Sequence, residues 1–281
     1  MLVQPKILTV IIASPDSAKT YTTIRSVQQM RYRNHEIVCT VPYERDLLRH
    51  NLLRDFNWLP LITAPRASLS TLLSIAVERG RYSNVDAVCF IQSGCTPERE
   101  FLAEMAVPLR THTNIDLFMP SMVRPDDKGI VFGATRFGKW PHQMKSVIEI
   151  PEDELNIANS HFLGHSVLVR LSTCLKNQFS DINDDLTLLY WTEKIINNKH
   201  QTMAISSIKI FFDGVIFPDL SSALVVPKGW YKDMERYIQI YGSWYDKVGF
   251  VLRYRWRREG SLFSRLVDSW WQNQAAYKRE F

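Results

Sequence analysis

The chain has 281 residues, of which 46% are hydrophobic and 22% are charged. These are ordinary values for a globular protein with a full core, and they exclude a disordered or low-complexity chain. The formal net charge is +5, and the whole excess lies in residues 228–281, because residues 1–227 contain 23 basic and 23 acidic residues. This asymmetry predicts one large domain, residues 1–227, followed by a separate functional extension, residues 228–281.

The four cysteines form no CxxC pair, and three of them lie in or beside apolar runs. This pattern predicts buried thiols in a reducing compartment. The positions are Cys39, Cys89, Cys95 and Cys174.

The apolar run near the amino terminus is short. It covers Ile7 to Ala13 and is followed at once by Pro15 and Asp16, so we interpret it as a first strand rather than a signal sequence. No apolar stretch approaches the roughly 18 residues that span a bilayer. We expect a cytoplasmic protein whose membrane contact is at most peripheral.

Over the first hundred residues, apolar runs typical of buried strands alternate with amphipathic stretches typical of helices. The predicted strands are Ile7–Ala13, Glu36–Val41, Leu59–Thr63 and Ala87–Ile91. Four helices are predicted. The first is capped within Ser14–Ser17 and runs to about Met30, and the second covers Leu47–Phe56. The third runs from Ser68 to a stop at Gly80, and the fourth starts at Thr96-Pro97 with Glu98 and Glu100 in its first turn.

The second half of the chain is less regular. The predicted elements are strands over Ile115–Met122, Gly129–Phe132, His161–Leu171 and Thr202–Phe212, a loop over residues 134–158, and a helix over Asp185–Asn197. From Gly229 onward the pattern is helical. The expected fold class is α/β, with a mixed, mostly parallel sheet flanked by helices and a helical carboxyl-terminal extension.

The segment from Val85 to Pro97, VDAVCFIQSGCTP, ends a buried strand in a small polar turn. In an α/β fold the last residues of such a strand lie at the ligand crevice, at the carboxyl edge of the sheet. We therefore expect Gln92, Ser93 and Gly94 at a ligand site.

Three segments resemble the family 2 glycosyltransferases. Residues 6–41, KILTVIIASPDSAKTYTTIRSVQQMRYRNHEIVCTV, are similar to the family's first strand, helix and second strand. Residues 67–105, ASLSTLLSIAVERGRYSNVDAVCFIQSGCTPEREFLAEM, are similar to its helix, metal-motif strand and following helix. Residues 179–206, FSDINDDLTLLYWTEKIINNKHQTMAIS, are similar to the acidic segment that begins a helix and supplies the catalytic base.

The resemblance covers roughly residues 6–212 and implies a single Rossmann-like nucleotide-sugar domain. It implies transfer of a sugar from a nucleotide-sugar donor to a glycan or lipid-linked acceptor, in polysaccharide or glycoconjugate biosynthesis. An inverting transfer needs a carboxylate that takes the acceptor hydroxyl's proton as that oxygen attacks the anomeric carbon. The resemblance makes Asp185 the preferred base and Asp184 its neighbour. The alternative is that Asp184 or Asp181 caps the helix that begins near Asp185.

The chain departs from the family pattern at two places. The second strand should end in an acidic pair that holds the nucleoside, but it ends in Val41-Pro42, and Glu44 is the nearest acid. The fourth strand should end in Asp-x-Asp, but it ends in Gln92-Ser93-Gly94, which lacks the carboxylates that Mg²⁺ or Mn²⁺ prefers. The metal motif is degenerate, and we expect no conventional metal site there.

The predicted nucleotide-sugar contacts are Ser14, Glu44, Arg66, Gln92, Ser93 and Gly94. Without a cation, the diphosphate would need cationic or hydrogen-bonding side chains, for which Arg66 and Arg136 are candidates. The missing acids favour a rival interpretation, in which the chain is a non-catalytic glycosyltransferase relative that acts as a binding or scaffolding subunit.

Other polar groups have structural explanations of their own. Asp126 and Asp127 lie in a turn and are expected to be solvated, with a migrated metal ligand as the alternative. His161 and His165 lie four residues apart in a β-like run, so they share one face of it. They are interpreted as structural histidines, with contacts to a diphosphate or acceptor as the alternative. The sequence contains no P-loop, dinucleotide-binding glycine fingerprint or zinc-ligand spacing.

The extension over residues 228–281 combines aromatic residues at helical spacing with the basic run Arg253–Arg258. One interpretation is a pair of helices that packs over the domain. The other is an interfacial surface for an anionic membrane or a protein partner, because Trp and Tyr favour the headgroup level and Arg favours anionic lipid. The electrically neutral body and the absence of a known binding module make nucleic acid the least favoured partner.

Overall fold

A computed structural model describes residues 4–123, 130–132, 135–137, 144–146, 155–156, 165–181, 187–198, 200 and 202–213. Most of these residues belong to one compact unit, formed by Met1–Arg136 and Ser146–Trp230. The predicted boundary at residue 227 and the extension beyond it lie outside the described residues.

The strands of the described residues, in chain order, are β1 Ile7–Ile12, β2 His35–Thr40, β3 Leu61–Ile62, β4 Ala87–Gln92, β5 Cys95–Pro97, β6 Leu117–Val123, β7 Ile130–Phe132, β8 Thr135–Phe137, β9 Met144–Ser146, β10 Leu155–Asn156, β11 Ser166–Arg170 and β12 Thr202–Phe212. The helices are α1 Ser17–Gln28, α2 Asp46–Asp55, α3 Leu69–Tyr82, α4 Phe101–Thr111, α5 Leu171–Lys176 and α6 Thr187–Asn197.

One large sheet contains all of these strands except β8 and β9, which pair with each other. Its main path runs β10-β12-β6-β11-β4-β1-β2-β3. The pairs β3–β2, β2–β1, β1–β4 and β6–β12 are parallel, and β11 is antiparallel to both of its neighbours. This confirms the predicted fold class, a mixed and mostly parallel sheet flanked by helices.

The central strands are almost entirely apolar, as expected for strands covered by helices on both faces of the sheet. Every residue of β1 is buried. The apolar side of α3 and that of α6 share a core with alternate residues of β1 and β4. The helices α1 and α4 do not belong to that core. Their buried residues pack on the other face of the sheet, α1 against β1 and β5 and α4 against β6 and β12.

The predicted helix start at Thr96-Pro97 is wrong. Residues Cys95–Pro97 form the short strand β5, which pairs antiparallel with the end of β12. The helix α4 begins only at Phe101, so Glu98 precedes it and Glu100 is its N-cap residue. Pairing with a strand more than a hundred residues away overrides the local helix-start signal.

The predicted helix stop at Gly80 is also wrong, because α3 continues to Tyr82. A Cβ atom at position 80 would lie 3.1 Å from Val85 Cγ2 and 3.3 Å from Leu8 Cδ2. The glycine therefore permits close packing of α3 against β1 and the following turn. It does not end the helix.

Two further differences lie in the middle of the chain. The predicted loop over residues 134–158 contains the strands β8, β9 and β10. The predicted strand ending at Leu171 ends at Arg170, and Leu171 begins the short helix α5.

All four cysteines are buried and carry free thiols, which confirms the predicted burial. Burial raises the pKa of the Cys39 thiol to about 12. Within the described ranges, no helix has both the length and the apolar character needed to cross a membrane.

An aromatic cluster fixes α6 against the sheet. The Trp191 side chain is fully buried, its ring stacks on Phe179 at 4.4 Å between centroids, and it meets Phe90 edge-on at 5.3 Å. Its indole N–H donates to the Asn177 carbonyl at 2.5 Å. The cluster therefore joins α6, β4 and the segment after α5.

We expect Trp191→Ala to lower the free energy of unfolding by about 3–5 kcal/mol, because it removes a fully buried aromatic side chain and leaves a cavity. Trp58→Ala is the control, since that ring is 41% exposed. Urea unfolding measures both. An equal loss in the two variants would contradict the assignment of Trp191 to the core.

Candidate active site

The strands β1 and β4 end side by side at the carboxyl edge of the sheet. They are parallel neighbours, and Ile12 lies opposite Gln92 in the register. The residues that follow each strand are therefore brought together. This places four predicted site residues in one cluster: Ser14, Gln92, Ser93 and Gly94.

Ser93 is the centre of this cluster, and it is 5% exposed. Its backbone N–H donates to the Ile12 carbonyl at 2.9 Å, and its hydroxyl donates to the same oxygen at 2.8 Å. The hydroxyl oxygen lies 3.0 Å from Thr20 Oγ1 and accepts from the Ser14 backbone N–H at 3.2 Å. All of these partners are protein atoms. Ser93 therefore joins β4, β1 and α1.

Gly94 has a backbone φ of +96°, which favours glycine. A Cβ atom there would lie 3.0 Å from the Asp213 carbonyl oxygen. The Gly94 N–H donates to Thr23 Oγ1 at 3.0 Å, and the Asp213 N–H donates to the Gly94 carbonyl at 2.9 Å. The end of β12 thus closes the space that a side chain at position 94 would need.

Gln92 points its amide oxygen at a histidine. His165 Nδ1 donates to Gln92 Oε1 at 2.5 Å, and the Gln92 backbone N–H donates to the His165 carbonyl at 2.8 Å. The imidazole stacks on Phe212, with 4.6 Å between ring centroids. His165 is therefore held beside the turn by a side chain of β4 and a ring of β12.

This turn does not fit a divalent cation. Mg²⁺ and Mn²⁺ prefer several hard oxygen ligands, usually carboxylates. Here the Gln92 oxygen accepts from His165, the Ser93 hydroxyl is hydrogen-bonded to protein atoms, and Gly94 offers no side chain. No group of three or more His, Cys, Asp or Glu side chains suited to a metal occurs in the part of the chain that the structure describes.

Glu44 and Arg66 meet at the ends of β2 and β3. The Arg66 backbone N–H donates to Glu44 Oε1 at 3.0 Å, and Arg66 has a φ of 56°. The carboxylate thus fixes a strained backbone position after β3. This contact brings two more predicted site residues together, although through the Arg66 backbone rather than its guanidinium.

Two residues at this edge are absent from the predicted site. Arg45 Nη1 donates to the Ala13 carbonyl at 3.4 Å, so its guanidinium lies at the end of β1. Asp213 follows β12 and pairs through its backbone with Gly94. Asp213 comes directly after β12, and Arg45 lies in the loop between β2 and α2, so a position after a strand is the sequence signal that indicates them.

The acidic segment begins beside α3. Ser70 in the first turn of α3 donates through Oγ to Asp181 Oδ1 at 3.4 Å. The predicted base Asp185 and its neighbour Asp184 lie outside the described residues, as do Asp126, Asp127, His161 and the extension over residues 228–281. The side chain of Arg136, in β8, is likewise not described.

Comparison with protein-family models and with curated proteins finds no match. Solved structures do match. Residues 1–349 of S. aureus TarS align with a TM-score of 0.56 and 13% identity, over 87% of this chain and 68% of that one. The same fragment in complex with UDP-GlcNAc aligns with a TM-score of 0.57 and 16% identity, over 87% and 69%. A longer TarS chain aligns at 15% identity with a TM-score of 0.55, over 92% of this chain and 44% of that one.

At this level of identity the likeness establishes the fold. The chain has the curled, mixed and mostly parallel sheet flanked by helices that TarS has, so its fold is glycosyltransferase-like. This agrees with the fold that the resemblance in the sequence implies.

We expect Gly94→Ala to lower the free energy of unfolding by about 1–3 kcal/mol, because the positive φ and the Asp213 carbonyl both oppose a Cβ atom. Gly80→Ala is the matched control. A Cβ atom there would meet the Val85 and Leu8 side chains at 3.1 and 3.3 Å, but the backbone is helical, so this variant tests crowding without the positive φ. Chemical unfolding of the two variants measures the difference, and a Gly94→Ala protein as stable as the wild type would contradict the geometry of the turn.

Proposed function

We propose that the chain is a glycosyltransferase that transfers a sugar from a nucleotide-sugar donor to a glycan or lipid-linked acceptor. The observation that carries the proposal is the joining of Ser14 to Ser93, which brings predicted donor-site residues to the carboxyl edge of a glycosyltransferase-like sheet. The matching TarS structures contain UDP-GlcNAc and UDP, which supports a nucleotide-sugar donor.

The donor would lie along the edge formed by the ends of β1, β2, β3 and β4. Glu44 and Ser14 are the candidate contacts for the nucleoside, and Gln92 is the candidate contact nearest the transferred sugar. Glu44 would act from a fixed position, because its carboxylate is held by the Arg66 backbone.

Asp185 would act as the general base, with Asp184 beside it. The Asp181 side chain accepts a hydrogen bond from Ser70 in the first turn of α3. Asp184 follows Asp181 by three residues, and a chain of that length spans at most about 11 Å. The base would take the proton from an acceptor hydroxyl while that oxygen attacks the anomeric carbon. The bond from this carbon to the diphosphate would break, and the diphosphate would leave with the bonding electron pair.

The first experiment is a thermal-shift screen of nucleoside diphosphates and nucleotide sugars, with Mn²⁺ and with EDTA. A ligand that binds the native state raises the unfolding temperature. A bound nucleotide sugar is the expected result, and the absence of any shift would contradict the proposal.

We expect Asp185→Asn to reduce turnover by about 10²- to 10⁴-fold and to leave donor binding unchanged, because a general base acts on the acceptor. Asp181→Asn is the control, since Asp181 is exposed and contacts Ser70. Turnover is measured as release of the nucleoside diphosphate in the presence of acceptor. Unchanged turnover in Asp185→Asn would remove this residue from the mechanism.

The alternative is a non-catalytic relative that binds a nucleotide sugar or a glycan within an assembly. The poor fit of the β4 turn to a cation is the observation that favours it. Binding of a nucleotide sugar without transfer or hydrolysis, across a panel of acceptors, would distinguish this alternative from the enzyme.

We propose further that residues 228–281 form an extension that contacts an anionic membrane surface or a protein partner at the cytoplasmic face of a membrane. The support is its sequence, which contains 11 basic and 6 acidic residues interleaved with aromatic residues. Such a surface would suit a lipid-linked acceptor.

We expect the full chain to sediment with vesicles of phosphatidylcholine and phosphatidylserine at low salt. Reversal of Arg257 and Arg258 to Glu should weaken this binding at least about tenfold, because each basic residue at an anionic surface contributes about 1 kcal/mol. Reversal of Arg31 and Arg81, exposed arginines of the domain, is the control. Equal effects of the two reversals, or binding that is insensitive to salt, would contradict a role of the extension.

A further inference from the structure

The departing diphosphate needs positive charge at the carboxyl edge of the sheet. In a cation-dependent site, carboxylates after β4 would hold a metal ion that supplies this charge. The turn over residues 92–94 offers no such ligands, because its side chains are bonded to protein or absent. A protein cation at the same edge would serve instead.

Arg45 is fixed at that edge. It is half-buried, it is the residue before the first turn of α2, and its Nη1 donates to the Ala13 carbonyl at 3.4 Å. The nitrogen of the same peptide group, that of Ser14, donates to Ser93 Oγ at 3.2 Å. One peptide group thus joins the guanidinium to the centre of the turn. Bond lengths within that group keep Arg45 Nη1 within roughly 9 Å of the Ser93 hydroxyl.

The guanidinium has donors for a further ligand. The contact to Ala13 uses one of the five N–H groups of an arginine, and the planar fork of such a group matches phosphate oxygens. Arg49, one turn further along α2, is engaged differently. It pairs with Asp46 at 2.7 Å and lies over the Tyr43 ring at 4.4 Å.

We propose that Arg45 binds the diphosphate of the donor and that the site takes a nucleoside diphosphate without a divalent cation. The assignment rests on the proposed nucleotide-sugar function. Arg45 would form charge-assisted hydrogen bonds to the phosphate oxygens and would stabilise the negative charge that develops as the diphosphate leaves.

The test compares UDP with uridine, by calorimetry and thermal shift, on the full chain in EDTA. The wild type should bind UDP, and added Mn²⁺ should not strengthen binding. Arg45→Gln should weaken UDP binding by about 10- to 100-fold, in the range for loss of a hydrogen bond to a charged group, and should leave the response to uridine unchanged. Arg45→Lys should recover part of the loss, because it keeps the charge but not the fork.

Arg49→Gln is the matched control and should bind UDP as the wild type does. Equal UDP affinity in Arg45→Gln and the wild type would overturn the assignment. A parallel loss of uridine binding would also overturn it, because that loss would indicate a structural role for Arg45. UDP binding that requires Mn²⁺ would overturn it as well. A wild-type chain that binds no nucleoside diphosphate in either buffer would overturn the proposed function itself, and this assignment with it.

Discussion

The Ser93 hydroxyl holds the ends of two neighbouring strands and the start of a helix in one place. It donates to the Ile12 carbonyl and accepts from the Ser14 backbone, and it lies against Thr20 in α1. Residues 12 and 93 are 81 positions apart in the chain, so this contact forms only when β4 lies beside β1. The candidate site has a defined shape because the two strands end together at this hydroxyl.

Most of the polar groups that hold this edge of the fold together differ from those proposed to bind a ligand. The turn after β4 is bonded to β1, α1 and β12, so its polar groups stabilise the fold. Several of the groups proposed to meet a ligand come from the loops around it, after β2 and β3. Under the proposed function, such a site would keep the position of a nucleotide-sugar crevice while the residues that carry charge change.

The alternation of apolar runs and amphipathic stretches was sufficient to predict the parallel half of the sheet. It also placed Gln92, Ser93 and Gly94 at its carboxyl edge, because strand period and burial are local properties. The strand β5 was missed since it depends on pairing with β12, a contact that no local pattern encodes. Gly80 was misinterpreted for a similar reason: its absent side chain serves packing against Val85 and Leu8. Arg45 was missed because its role depends on a carbonyl of another strand.

The closeness of Gly94 to the end of β12 has a consequence for protein engineering. In Gly94→Asp, the Cβ atom would lie against the Asp213 carbonyl. The new residue would also have to adopt the positive φ of position 94, which is unfavourable for Asp. A carboxylate introduced at position 94 would therefore carry a cost in stability beyond the change of ligand. A small shift of the backbone after β12 would relieve part of that cost, so the residue preferred at position 94 depends on a segment far away in sequence.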